Sequence, residues 1–173
     1  MKTRILAGLW LTAGIATMWA APAPNPAPSL ADNVRKALVT LPFLSVFDNL
    51  SYQVDNGVVT LSGEAARPVV KADAETAVRR LAGVTAVNNQ IEVLPLSSFD
   101  DDIRLRTLRS LNRTSSLYRY FMGTNPSIRI VVKNGHVTLD GIVQNSMDRQ
   151  LAFMAANQVS GVFAVTNDLR TEH

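Results

Sequence analysis

Val54-Asp55-Asn56-Gly57-Val58-Val59-Thr60-Leu61-Ser62-Gly63 is answered, 78 residues on, by Val132-Lys133-Asn134-Gly135-His136-Val137-Thr138-Leu139-Asp140-Gly141. Asn-Gly between apolar alternations is the pair that a two-residue hairpin turn demands, because both central residues need positive φ. Tyr52 and Val54 before the pair, and Val59 and Leu61 after it, alternate as half-buried strands do. Carried outward, the same offset lays residues 54–91 on residues 132–169 without a gap, and 14 of the 38 pairs are identical. The chain therefore contains an internal duplication, and one copy's structure should be the other's.

Each copy reads α-β-β-α-β. In the first, Leu30, Val34, Ala37, Leu38 and Leu41 fall on one helical face, and Pro42 stops the helix. The hairpin follows. Pro68 opens a second helix in a slot where its missing N–H costs nothing. Val70, Ala74, Ala77, Val78 and Leu81 line that helix, Gly83 is expected to end it as a C-cap, and a strand runs from about Val84 to Val93. In the second copy, Asp100, Asp101 and Asp102 are expected to supply a cap and favourable charge at a helix start, with the helix running to about Arg113. Leu105, Leu108 and Leu111 are expected to cover its core. Strands flank Asn134-Gly135, a helix runs from about Ser146 to Gly161, and a strand from Val162 to Leu169 closes the copy. The expected class is α+β: two tandem repeats, each a small mixed three-stranded sheet packed on two helices.

These residues resemble the BON domain, a small module found in tandem in bacterial periplasmic proteins of the OsmY type. The likeness rests on the N-G-x-V-T-L-x-G hairpin and on the closing motif. That motif reads Gly83-Val84-Thr85-Ala86-Val87-Asn88-Asn89 and then Gly161-Val162-Phe163-Ala164-Val165-Thr166-Asn167. The resemblance covers about residues 30–95 and 101–171. The resemblance implies a non-catalytic protein that binds phospholipid membranes and acts in envelope maintenance or periplasmic protein quality control.

The amino terminus is read as an address. Lys2 and Arg4 precede an apolar run from Ile5 to Ala20, too short to span a bilayer, followed by small residues. Residues 1–21 are expected to be a signal peptide, with an uncleaved anchor as the alternative. Residues 22–29 are a Pro-rich spacer of extended polyproline II type. The protein is thus expected to be periplasmic or secreted, and the absence of cysteine argues against a lipid anchor. Formal net charge is +3 for the whole chain. Removing Lys2 and Arg4 leaves +1, so no nucleic-acid partner is inferred.

With no cysteine and only His136 and His173, the chain has no thiolate site, disulfide scaffold or two-histidine scheme. No cofactor, no metal and no enzymatic activity are expected. His136 reads as an exposed strand residue; Asp140 beside Gly141 and the Asp100–Asp102 run could suggest paired carboxylates or a divalent-ion site, but helix capping explains the run better. The glycines 57, 63, 83, 135, 141 and 161 (Gly57, Gly63, Gly83, Gly135, Gly141, Gly161) are assigned to turns and caps.

Two patches in the second copy are candidates for binding. Arg106, Arg109 and Arg113 share a helix face with Asp102, and Arg119, Tyr120 and Phe121 follow in a loop. An arginine face beside exposed aromatics suits an anionic phospholipid surface; the alternative is a solvated face with the aromatics capping the core. Residues 96–173 hold nine basic and seven acidic residues, against six and seven in residues 29–95. On the second helix, Asp73, Glu75 and Thr76 of copy one become Leu151, Phe153 and Met154, and Val69 becomes Met147. A helix apolar on so many sides must bury its extra face, either on the first copy or on a lipid or protein partner. The partners expected are therefore a membrane phospholipid surface or an envelope protein.

Overall fold

The computed structural model describes residues 28–172; the expected signal peptide and residues 22–27 of the spacer lie outside them. The first repeat runs α1 (Leu30–Val39), β1 (Asn49–Asp55), β2 (Val58–Ala65), α2 (Pro68–Arg79), β3 (Ala86–Asn89) and β4 (Glu92–Val93). The second runs α3 (Ser98–Arg113), a 3-10 turn (Tyr118–Phe121), β5 (Ile128–Lys133), β6 (His136–Val143), α4 (Ser146–Asn157) and β7 (Ala164–Thr171). In each, a hairpin pairs antiparallel and the closing strand lies parallel beside the hairpin's second strand. The class is the expected mixed α+β. No helix among the described residues is long and apolar enough to cross a membrane.

The turn residues behave as their chemistry requires. Asn56 and Gly57 take φ of 49° and 83°, and Asn134 and Gly135 take 53° and 77°, so both turn centres are left-handed. Alternation then sends Val59 and Leu61, and Val137 and Leu139, inward, where all four are fully buried. The first core gathers Val34, Leu38, Val70, Ala74, Val78 and Ile91 around the first pair. The second gathers Ile103, Leu111, Ile130, Val132, Ala152 and Ala156 around the other.

Three expectations are corrected. The closing strand of repeat one is interrupted at residues 90 and 91, although β3 and β4 keep one register against β2. At the break, Asn89 Oδ1 accepts from Ile91 N–H at 3.2 Å, and its Nδ2 donates to the Lys71 carbonyl at 3.0 Å. Asn167 copies this, donating to the Arg149 carbonyl at 3.0 Å. The last residue of the closing motif is thus a staple between the strand and its helix. Next, Gly83 and Gly161 are not C-caps. The helices stop at Arg79 and Asn157, and each glycine sits four residues on, at φ of 90° and 93°, in a following turn.

Finally, the aspartate run does not cap α3. Ser97 does, its side chain accepting from Asp100 N–H at 3.1 Å. Asp100 is buried and reaches the next hairpin, where its oxygens accept from Asn134 N–H at 2.9 Å and Gly135 N–H at 2.8 Å. Asp100→Ala therefore strands two backbone donors, and a loss of roughly 2–4 kcal/mol is expected. Exposed Asp102→Ala should stay within about 0.5 kcal/mol. Urea midpoints compare them; equal midpoints would refute the clamp.

The repeats meet along the free edge of β5. Ile130 N–H donates to the Val46 carbonyl at 2.9 Å, and Arg129 donates to the Ser45 carbonyl at 3.0 Å. Val46 and Phe47 pack on the second core. Asn49 donates to Asp140 at 2.9 Å, and Lys133 pairs with Glu92. An open strand edge invites foreign pairing, so the loop of repeat one also protects repeat two.

Candidate functional site

Helix α3 has three working sides. Ile103, Arg104, Thr107 and Leu111 are buried, in place of the expected Leu105, Leu108 and Leu111 face. Leu108 is half-buried and Leu105 is 44% exposed. The second side carries Arg106, Arg109 and Arg113, all exposed, around a shallow depression floored by Ser110. Arg106 donates to Asp102 at 3.1 Å and to the Ser160 carbonyl at 3.4 Å. Among the described residues, Arg109 and Arg113 have no carboxylate partner. Arg113 sits in the last turn, where a cation complements the helix dipole.

The aromatic part of the expected patch turns inward. Tyr120 is 6% exposed, and Phe121 packs against the second core. The Tyr120 hydroxyl donates to Asp148 at 2.6 Å and accepts from Gln144 N–H at 2.9 Å. Arg119 lies over the Tyr120 ring and pairs with Asp148. Repeat one solves the same problem differently. Ala66 is the counterpart of Gln144, and its N–H donates to the buried Asp48 carboxylate at 2.7 Å. The loop before the hairpin must satisfy that donor in both copies, with a carboxylate in one and a phenol in the other.

Burial pushes the Asp148 carboxyl up, but hydrogen bonds from Tyr120 and Arg119 outweigh it and hold the group below the usual aspartate range. A depressed folded pKa gives stability that is present above about pH 4 and lost as pH falls through the folded value. Tyr120→Phe is expected to cost about 1–3 kcal/mol at neutral pH by leaving Gln144 N–H unpaired. It should also raise the Asp148 pKa and flatten the acid limb of a stability–pH curve. An unchanged acid limb would refute the assignment.

Sequence reasoning missed the exposed aromatics. Phe99 and Phe163 stack with centroids 6.0 Å apart, and His136 stands edge-on to Phe163 at 6.2 Å. Phe163 is 72% exposed and Phe99 47%. Phe99 precedes Arg106 by two turns of α3, so the aromatic pair ends the arginine row. In repeat one the counterparts of Phe163 and His136 are Thr85 and Val58. This tip therefore belongs to the second repeat alone, and comparison of the copies at positions 58/136 and 85/163 is the signal that could have found it.

On α4, Met147 and Met154 are exposed, and Leu151 and Phe153 are half-buried, Leu151 against the core. The repeats meet at residues 45–49 and β5 rather than over this stripe. The carboxylates Glu64, Glu92 and Asp140 lie near the junction. Burial, then the Glu92 charge, raises the Glu64 pKa, Lys133 opposes, and Asp140 adds to the rise. Among the described residues, no group of His, Cys, Asp or Glu is arranged to hold a metal ion.

No curated protein matches the chain. Two solved structures of a structural protein of the type III secretion system of Chlamydia trachomatis match at 12% identity. One covers 82% of this chain and 96% of that one with a TM-score of 0.28; the other covers 83% and 93% with a TM-score of 0.30. The family model for the BON domain matches residues 27–95 and again residues 100–172. With both repeats matched over nearly all the described residues, the chain belongs to the BON domain family.

Proposed function

We propose that this protein is an exported, non-enzymatic envelope protein that binds anionic phospholipid surfaces through its second repeat. One observation carries the reading. Three exposed arginines stand in a row on α3, two of them without a carboxylate partner, and the row ends in the exposed pair Phe99 and Phe163. Arginines at an anionic surface contribute about 1 kcal/mol each, and aromatic rings settle at the headgroup level. BON modules are associated with phospholipid binding and are generally non-catalytic. The basic start and apolar run at residues 1–21 support export to the periplasm or beyond.

The test is co-sedimentation of residues 22–173, which keep every core residue, with vesicles of phosphatidylglycerol and of phosphatidylcholine. Binding is expected to require the anionic lipid and to fade as salt rises from low to physiological. Equal binding to both lipids, or none to either, would sink the reading.

A second reading keeps one observation in its favour: Met147 and Met154 lie open on α4. Flexible thioethers suit adaptable protein contacts, so a soluble chaperone-like or protein-interaction role rests on this stripe. Met154→Asp tests it better than a change at Leu151, because Leu151 also packs on the core. Client capture that survives Met154→Asp together with Met147→Asp would dismiss the stripe.

A further inference from the structure

We infer that the cleft between the two repeats binds a long-chain fatty acid, with the acyl chain in the cleft and the carboxylate at its basic rim. The cleft has a volume of about 530 Å³, within the range of small-molecule sites. Phe47 and Pro95 come from repeat one and its exit, Leu96 from the linker, and Leu105 from α3. Leu96 is 94% exposed and Leu105 44%. Two large apolar side chains left open beside Phe47 and Pro95 give the cleft an apolar wall, which suits an apolar occupant.

Charge fixes the other end of that occupant. Arg104 is buried in the cleft wall, its guanidinium held by Asp101 and donating to the Val132 carbonyl at 2.8 Å. Its Nε has no partner. Arg67 lies over the Phe43 ring and donates to the Phe43 carbonyl; among the described residues it has no carboxylate partner. The cleft is thus lined by two guanidinium groups and one carboxylate, that of Asp101, and its rim is positive. An anionic head beside Arg67 completes the balance.

The main chain argues against a peptide as occupant. Ser45 N–H donates to Asp48, and the Ser45 carbonyl accepts from Arg129. Ala66 N–H also donates to Asp48, the Arg67 carbonyl accepts from Val70 N–H, and Pro95 has no N–H. A bound strand would find these groups already occupied, whereas an acyl chain requires none of them. On α3 the cleft is lined by Asp101, Arg104 and Leu105, about a third of a turn round the helix from the row of Arg106, Arg109 and Arg113, so the inference does not rest on vesicle binding.

The experiment is titration of residues 22–173 with a fluorescent nitrobenzoxadiazole-labelled stearate below its micellar concentration, followed by displacement with oleate or oleyl alcohol. Saturable one-to-one binding is expected, displaced better by oleate than by the alcohol. Leu96→Asp and Leu105→Glu should each weaken it at least about tenfold, because each places a charge against the chain. Arg67→Glu should weaken it by roughly tenfold. The triple reversal Arg106→Glu, Arg109→Glu, Arg113→Glu should leave it unchanged. Leu96 is almost wholly exposed, so its substitution cannot act by unfolding. Absence of saturable binding would overturn the inference. So would binding indifferent to both leucine variants, or binding lost in the arginine triple.

Discussion

Arg106→Glu, Arg109→Glu and Arg113→Glu combined should reduce binding to phosphatidylglycerol vesicles by at least about a hundredfold. Each basic group near an anionic surface is worth about 1 kcal/mol. Removing three forfeits about 3 kcal/mol, or roughly two orders of magnitude. Reversal adds repulsion to that loss. The fold should survive, since all three side chains are exposed. The Arg106–Asp102 pair is solvent-exposed on both sides, and such pairs contribute little. A glutamate at position 113 opposes the helix dipole in its last turn, a cost of about 0.3–1 kcal/mol. Exchanging all three for lysine keeps the charge and should keep most of the binding. Phe99→Ser with Phe163→Ser should weaken binding by about the same factor at low and at high salt, because the aromatic contribution is not screened. Unchanged binding by a folded triple-glutamate variant would eliminate the α3 face as the contact.

Much of the fold was legible because the duplication doubled each signal. Asn56-Gly57 and Asn134-Gly135 set the hairpins, alternation set which side of each strand is buried, and Pro68 marked a helix start. What escaped was long-range satisfaction of polar groups. Asp100 looked like a cap for its own helix, yet it clamps a hairpin 34 residues away. The expected apolar face of Leu105, Leu108 and Leu111 leaves Arg104 out, yet it is 4% exposed. Periodicity assigns faces from apolar residues, and a buried arginine shifts the face without any apolar signal. Tyr120 could be read as a surface contact or as a cap on the core, and the core reading holds; the 3-10 turn that carries it inward has no period that would have decided between them. The arginine row was legible, because its i, i+3, i+7 spacing is local. Its aromatic end was not, because Phe163 reaches Phe99 only through the closing strand.

The largest expected loss of stability comes from one methyl group at Gly141 or Gly63. A Cβ at Gly141 would lie 1.9 Å from the Ser127 carbonyl oxygen, and one at Gly63 would lie 2.0 Å from that of Asn49. Both obstacles are backbone, so no rotamer change relieves them. The Ser127 carbonyl also accepts from Ile142 N–H at 3.2 Å, so moving it away would break the start of the β5–β6 hairpin. Positive φ adds strain, 132° at Gly141 and 102° at Gly63. Gly123 separates the two causes: its φ is 86°, but nothing lies within 4 Å of its would-be Cβ. Gly123→Ala should cost only the strain, about 1–2 kcal/mol. Gly141→Ala should exceed about 4 kcal/mol, a large share of the roughly 5–15 kcal/mol that holds a domain together. Gly63→Ala should reach further than its own repeat. Val46 and Phe47 of the first repeat pack on the second core, and Val46 covers the edge of β5. Urea unfolding of Gly63→Ala, followed separately in each repeat, should therefore lower the midpoint of repeat two as well as that of repeat one. A Gly141→Ala variant no less stable than Gly123→Ala would show that the Ser127 approach is not what requires glycine. An unmoved second midpoint in Gly63→Ala would show that the junction at β5 carries no stability across the repeats.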